Sequence, residues 1–115
     1  MARYAGLTLR VLGRRVAAMG PGKAELIERI AETGSISAAA RAMGMSYRRA
    51  WQLVEALNRD FAEPVITTAT GGRRGGGAQV TGFGRRVAAQ YRAMEDKACA
   101  AISADLQRFR RNLKA

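Results

Sequence analysis

The hydrophobic pattern of the first third of the chain changes from a period of two to a helical period. Apolar and polar residues alternate over 7–11, which is typical of a half-buried strand. After a Gly-Pro-Gly break, apolar residues recur at helical spacing from Lys23 onward, and Gly34 ends the pattern. We therefore predict a strand over 7–11 and a first helix over about 23–33, with Pro21 suited to its first turn.

Two further helices are predicted directly after Gly34. Ser35 or Ser37 can cap a short, alanine-rich helix, and Ser46 can cap a third helix that runs to about Arg59. The third helix carries an apolar stripe on one side and polar residues on the other. The stripe consists of Ala50, Leu53, Val54 and Leu57.

A hairpin with a basic, glycine-rich tip is predicted after the third helix. Residues 65–70 are rich in β-branched side chains, and 79–81 offer a returning strand. The loop between them reads GGRRGGG and carries Arg73 and Arg74. Since the hairpin directly follows three helices, we interpret it as a wing with two arginines at its tip.

Thr81 is the predicted cap of a long fourth helix. Apolar residues recur at spacings of four and three from Phe83 to Leu113, which is a heptad-like seam. Because so small a core cannot cover a seam of this length, we predict that the helix pairs with its copy in a homodimer. We assign the dimer contacts to Phe83, Val87, Tyr91, Met94, Ile102, Leu106 and Phe109.

The predicted fold class is mainly α with a small β wing, a winged helix-turn-helix plus a long C-terminal dimerisation helix. The helix-turn-helix spans about 35–58. Residues 1–82 form the winged helix-turn-helix part, and 83–115 form the long helix of the same structural domain. The alternatives for the seam are a core within the monomer and a platform for another protein.

The net charge of the chain indicates what kind of partner this fold binds. The chain has 20 Lys and Arg against nine Asp and Glu, a net charge of +11, and 17 of the 20 cations are arginine. Such an excess attracts polyanions, and arginine suits phosphate and guanine. With no histidine and Cys99 as the single cysteine, the sequence offers no Cys/His metal site and no evident catalytic base. We expect a cytoplasmic protein that is not an enzyme and has no membrane span.

Two helices joined by a short glycine-containing turn form the helix-turn-helix arrangement, and the start of the second helix meets bases in the major groove. Arginine pairs with guanine and glutamine with adenine, while capped helix starts accept phosphate. We therefore predict double-stranded DNA as the partner. The predicted DNA-binding residues on the helices are Ser35, Ser37, Ser46, Tyr47, Arg48, Arg49 and Gln52. Arg73 and Arg74 on the wing are predicted to contact DNA in the minor groove or at phosphate.

The runs TGSISAAARAMGMSYRRAWQLVEALN and VITTATGGRRGGGAQVTGFGRR closely resemble the DNA-binding domain of the ModE family of molybdate-responsive transcription regulators. The resemblance covers about residues 7 to 100. Its specific parts are the Ser-Tyr-basic-x-Ala-Trp core at 46–51 and the glycine-rich wing at 69–77. The weaker outline is shared with the LysR-type regulators.

The ModE resemblance implies a winged helix-turn-helix, dimerisation through the first and last helices, and operator binding. It also implies a C-terminal molybdate-binding region of small β-barrels, which these 115 residues do not contain. We therefore expect no cofactor in this chain, and an effect of molybdate through a partner or a further region stays open. The leading hypothesis is a sequence-specific, repressor-type regulator on a palindromic operator. The alternatives are a non-specific architectural DNA-binding protein and a protein-interaction module that uses the long helix.

Overall fold

The computed structural model describes residues 6–14, 16–69 and 77–115 and confirms the predicted fold class. Two strands precede three helices, and a second pair of strands separates these helices from a fourth, long one. The elements are β1 (Val11–Leu12), β2 (Ala17–Met19), α1 (Pro21–Thr33), α2 (Ile36–Ala42), α3 (Tyr47–Asp60), β3 (Ile66–Ala69), β4 (Gly77–Val80) and α4 (Gly82–Arg110).

The helix ends lie close to their predicted positions because each depends on local hydrogen bonds. Gly34 ends α1 in the left-handed region, with φ 67°, and donates its N–H to the Ile30 carbonyl. The side chains of Ser35, Ser46 and Thr81 each accept a backbone N–H in the first turn of α2, α3 and α4. Of the two serines proposed for α2, Ser35 is the cap.

The prediction of a single strand over 7–11 was wrong. The chain instead forms an antiparallel hairpin of β1 and β2, and the Gly13 N–H donates to the Val16 carbonyl at 2.8 Å inside the turn. The returning strand reads Ala-Ala-Met, which carries neither alternation nor β-branched residues. For this reason the hydrophobic pattern gave no sign of β2.

One core joins all three short helices to the second hairpin and the start of α4. Its largest fully buried side chains are Tyr91, Leu26, Ile27, Ile30, Leu57, Ile66, Val54 and Val65. The hairpin of β3 and β4, which is the predicted wing, pairs Ile66 with Val80 and Ala69 with Gly77. The Ala78 N–H donates to the Gly34 carbonyl at 3.0 Å, which ties this wing to the end of α1.

The apolar seam of α4 divides into two parts with different surroundings. Phe83 and Val87 pack half-buried against the core, and Tyr91 is buried within it. Farther along, Leu106 is half-buried, while Met94, Ile102 and Phe109 are 44%, 36% and 63% exposed. The assignment of Tyr91 to a dimer contact is therefore corrected: the monomer core covers the first half of the seam, because α1 and β4 pack along it.

Tyr91 also ties the N-terminal segment to α4. Its hydroxyl donates to the Leu9 carbonyl at 2.6 Å. Burial, together with the charge of Glu95, raises the pKa of Tyr91 to about 12.

We expect an alkaline titration, followed by tyrosinate absorbance, to show one of the three tyrosines ionising near pH 12. Because the folded pKa lies above the unfolded value of about 10, the stabilisation is complete below pH 10 and is lost as the pH rises towards 12. Tyr91→Phe should remove this late phase. Simultaneous ionisation of all three tyrosines near pH 10 would contradict the assignment.

Among the residues that the structure describes, no helix combines the length and apolar character needed to cross a membrane.

Candidate nucleic-acid interface

The first turn of α3 presents the predicted reading residues on its exposed side. The Ser46 hydroxyl accepts the Arg49 N–H at 3.0 Å, so the helix starts at Tyr47 without fraying into the turn. Arg48, Arg49 and Gln52 are all exposed. Their exposure follows from the helical period, since Ala50, Val54 and Leu57 face the core.

Tyr47 and Trp51 lie together on one flank of α3. Their rings meet edge to face, with centroids 6.2 Å apart. Trp51 is half-buried and packs against the core, whereas Tyr47 is 55% exposed. Tyr47 is thus free to reach a ligand on the outer face, with Trp51 behind it.

The serines predicted at α2 have different surroundings. Ser35 is half-buried, and its hydroxyl accepts the Ala38 N–H at 3.0 Å and lies 3.3 Å from the hydroxyl of Ser37. Ser37 is exposed in the first turn of the helix. The hydroxyls of Ser35 and Ser46 both accept a backbone N–H in the first turn of their helices and so order the helix starts.

The wing is fixed to α3 by a side chain that sequence reasoning missed. The Asn58 amide oxygen accepts the N–H groups of Val65 and Ile66 at 2.8 and 3.1 Å, and its amide nitrogen donates to the Ile66 carbonyl at 2.9 Å. The Thr81 hydroxyl also donates to the Pro64 carbonyl at 2.7 Å. These bonds hold the start of β3 beside α3. Asn58 gave no signal in the sequence, because an exposed polar residue near a helix end has many possible roles.

Arg73 and Arg74, the predicted wing contacts, lie outside the described residues. Their assignment stays a prediction, as do the DNA contacts of the other residues.

The paired carboxylates lie mostly away from the outer face of α3. Glu28 and Glu95 bind Arg92 between α1 and α4, Glu25 pairs with Arg29 within α1, and Asp105 pairs with Arg108 near the end of α4. On α3 itself, Arg48 and Arg49 are exposed at the helix start, and Glu55 is exposed farther along, so the positive charge is concentrated at the start of the helix. Such a face attracts a polyanion.

Comparison with known proteins also identifies a helix-turn-helix in this part of the chain. Residues 22–85 match the model of the bacterial regulatory helix-turn-helix protein, lysR family. The chain is 49% identical over 85 residues to the molybdenum-pterin-binding protein MopB of Rhodobacter capsulatus, covering 74% of this chain and 32% of that protein. It is 38% identical over 71 residues to the DNA-binding transcriptional dual regulator ModE of Escherichia coli, covering 62% and 27%.

A crystal structure of a LysR family transcriptional regulator shares the fold, with a TM-score of 0.55 at 17% identity, over 82% of this chain and 30% of that one. The chain spans about a third of the length of the curated relatives it matches. The similarity to ModE proteins predicted from the two sequence runs is confirmed.

Proposed function

The chain belongs to the lysR family of bacterial regulatory helix-turn-helix proteins, and we propose that it is a sequence-specific transcription regulator of the ModE type. It binds a palindromic operator as a homodimer and acts as a repressor by occupying that site. The observation that carries this proposal is the exposed start of α3, where Arg48, Arg49 and Gln52 project from a capped helix. Their donors match the base edges of the major groove.

The homodimer is supported by the far half of α4. Met94, Ile102 and Phe109 are exposed large apolar side chains on a helix of 29 residues, beyond the part that the core covers. A second copy of the same helix can bury them in an isologous contact. Two recognition helices related by a two-fold axis then read two inverted half-sites.

The test is a selection from random duplexes with the complete 115-residue chain. We expect enrichment of an inverted repeat whose half-sites are about one helical turn apart. Added molybdate should leave the affinity unchanged, since we propose no cofactor for these residues. Enrichment of no sequence, with equal affinity for all duplexes across salt concentrations, would favour a non-specific architectural protein instead.

Arg48→Ala should weaken binding to the enriched duplex by about 1–3 kcal/mol for each of the two half-sites and relax the preference at one base position in each half-site. Arg48 lies opposite the core-facing stripe of α3, so its loss removes a base contact and leaves the packing unchanged. Fluorescence anisotropy with single-base variants of the duplex measures both effects. Arg29→Ala on α1 is the matched control, because it removes an arginine away from α3. Equal losses in the two variants would show that only net charge matters.

A further inference from the structure

A basic cleft lies on the side of α3 that faces the first hairpin. It encloses about 520 Å³ between β2, the start of α1 and α3. Leu53 and Ala56 of α3 form one wall, and Ala17 and Pro21 form the other. Asn58 binds the wing from the opposite flank of the same helix. The recognition helix is therefore bordered by the wing on one side and by this cleft on the other.

Three cations line the cleft and a fourth lies close to it. Arg10, Lys23 and Arg49 line it, and Arg59 is close enough to influence Lys23. Burial lowers the pKa of Lys23 from its usual value, and the three arginines lower it further. Asp60 raises the pKa of Lys23 more than any one of the arginines lowers it, and it also pairs with Arg59 at 3.1 Å. The cleft thus holds a surplus of positive charge that an external anion would neutralise.

The groups around the cleft also offer hydrogen-bond donors. The Lys23 ammonium donates to the Ala17 carbonyl at 2.8 Å, which uses one of its three N–H bonds. The first turn of α1 begins at Gly20 without a side-chain cap, and the space beside Gly22 is open. The positive end of the α1 dipole adds to the surplus of charge there.

Two residues belong both to the cleft and to the outer face of α3. Arg49 and Gln52 line the cleft and are exposed on the recognition helix. A duplex whose major groove receives α3 would therefore bring one of its backbones to the mouth of the cleft. That backbone is the one away from the wing.

We propose that this cleft is a second DNA-contact site, in which Arg10 and Lys23 bind a backbone phosphate of the duplex on the side of α3 opposite the wing. The inference rests on the proposed function, because it takes α3 as the helix in the groove. A phosphate contact fixes the register of a protein on DNA and carries no base preference. The cleft and the wing together hold α3 from both sides.

The experiment measures duplex binding by the complete chain and by Lys23→Gln and Arg10→Gln. Lys23→Gln removes the central charge, while Arg10→Gln keeps the bond between Lys23 and Ala17 and so guards against misfolding. Lys97→Gln, an exposed lysine on α4, is the matched control. The probes are the enriched duplex and a random duplex, titrated between about 50 and 200 mM salt.

Each cleft variant should weaken binding of the dimer by about tenfold on both duplexes. The negative slope of log affinity against log salt should become shallower by about 1.8, because each dimer loses two charges. The preference for the enriched duplex should persist, and Lys97→Gln should bind as the wild type does. If both cleft variants keep the wild-type affinity, salt slope and sequence preference, the proposed phosphate contact is overturned and the proposed regulator function is unaffected.

Two further outcomes separate the cleft from the proposed function. If the wild-type chain binds both duplexes equally and the cleft variants bind both more weakly, the sequence-specific regulator is overturned and the phosphate site is retained. A chain that binds no duplex would overturn both. Calorimetric titration with inorganic phosphate alone distinguishes the source: tight binding that does not compete with the duplex would make this a site for a free oxyanion and overturn the DNA contact.

Discussion

Arg92→Met is expected to lower the free energy of unfolding by about 3–5 kcal/mol. The Arg92 guanidinium donates to both oxygens of Glu28 at 2.9 and 2.8 Å, and to Glu95 at 2.8 Å. Glu95 is only 4% exposed. Methionine keeps much of the volume but leaves the Glu95 carboxylate buried without this cation, and that desolvated charge is the main cost.

Urea unfolding followed by circular dichroism measures the effect, and two variants make it specific. Arg29→Met breaks the exposed pair with Glu25, whose atoms lie 3.5 Å apart, and should cost less than about 1 kcal/mol. The double change Arg92→Met with Glu95→Leu should recover part of the loss, because it also removes the buried charge. If Arg92→Met and Arg29→Met cost the same, the cluster between α1 and α4 does not stabilise the fold as argued.

The Arg92 cluster illustrates which parts of the fold the sequence could not predict. Arg92 and Glu28 are 64 residues apart, and both occur among many charged residues with ordinary helical spacing. Only the packing of α1 against α4 brings them together. The caps at Ser46 and Thr81 were predictable for the opposite reason, since each acts on a backbone N–H three residues away.

In the candidate interface, too, the features that depend on one helix were predictable, and those that depend on distant parts of the chain were not. The apolar stripe of α3 defines the core-facing side, so the exposure of Arg48 and Gln52 follows from one helix alone. The cleft beside them needs β2, whose Ala-Ala-Met sequence predicted no strand. The seam of α4 showed the same limit, since its period could not reveal that Tyr91 meets the core of its own chain while Phe109 does not.

Gly82 and Gly84, at the start of α4, have different surroundings in the structure, although no sequence pattern distinguishes them. A Cβ on Gly84 would overlap the Val65 carbonyl oxygen and would lie 3.0 Å from a methyl carbon of Val80. The same carbonyl accepts the Thr81 N–H at 2.9 Å, so it cannot move away without losing that bond. At Gly82 the nearest atom would be the end of the Arg86 side chain at 3.7 Å, an ordinary contact.

Gly84→Ala should therefore destabilise the chain by about 3 kcal/mol, at the upper end of the cost of overpacking, although alanine favours a helix over glycine by about 1 kcal/mol. Gly82→Ala, in the same turn, should change the free energy of unfolding by less than about 1 kcal/mol. Thermal unfolding of the two variants compares them directly. Gly84 packs against Val65 and Val80, where the wing meets α4. Gly84→Ala should therefore also bind the selected duplex more weakly than Gly82→Ala does, at a temperature where both variants are folded. Equal stability of the two alanine variants would mean that the wing does not sit against α4 at Val65.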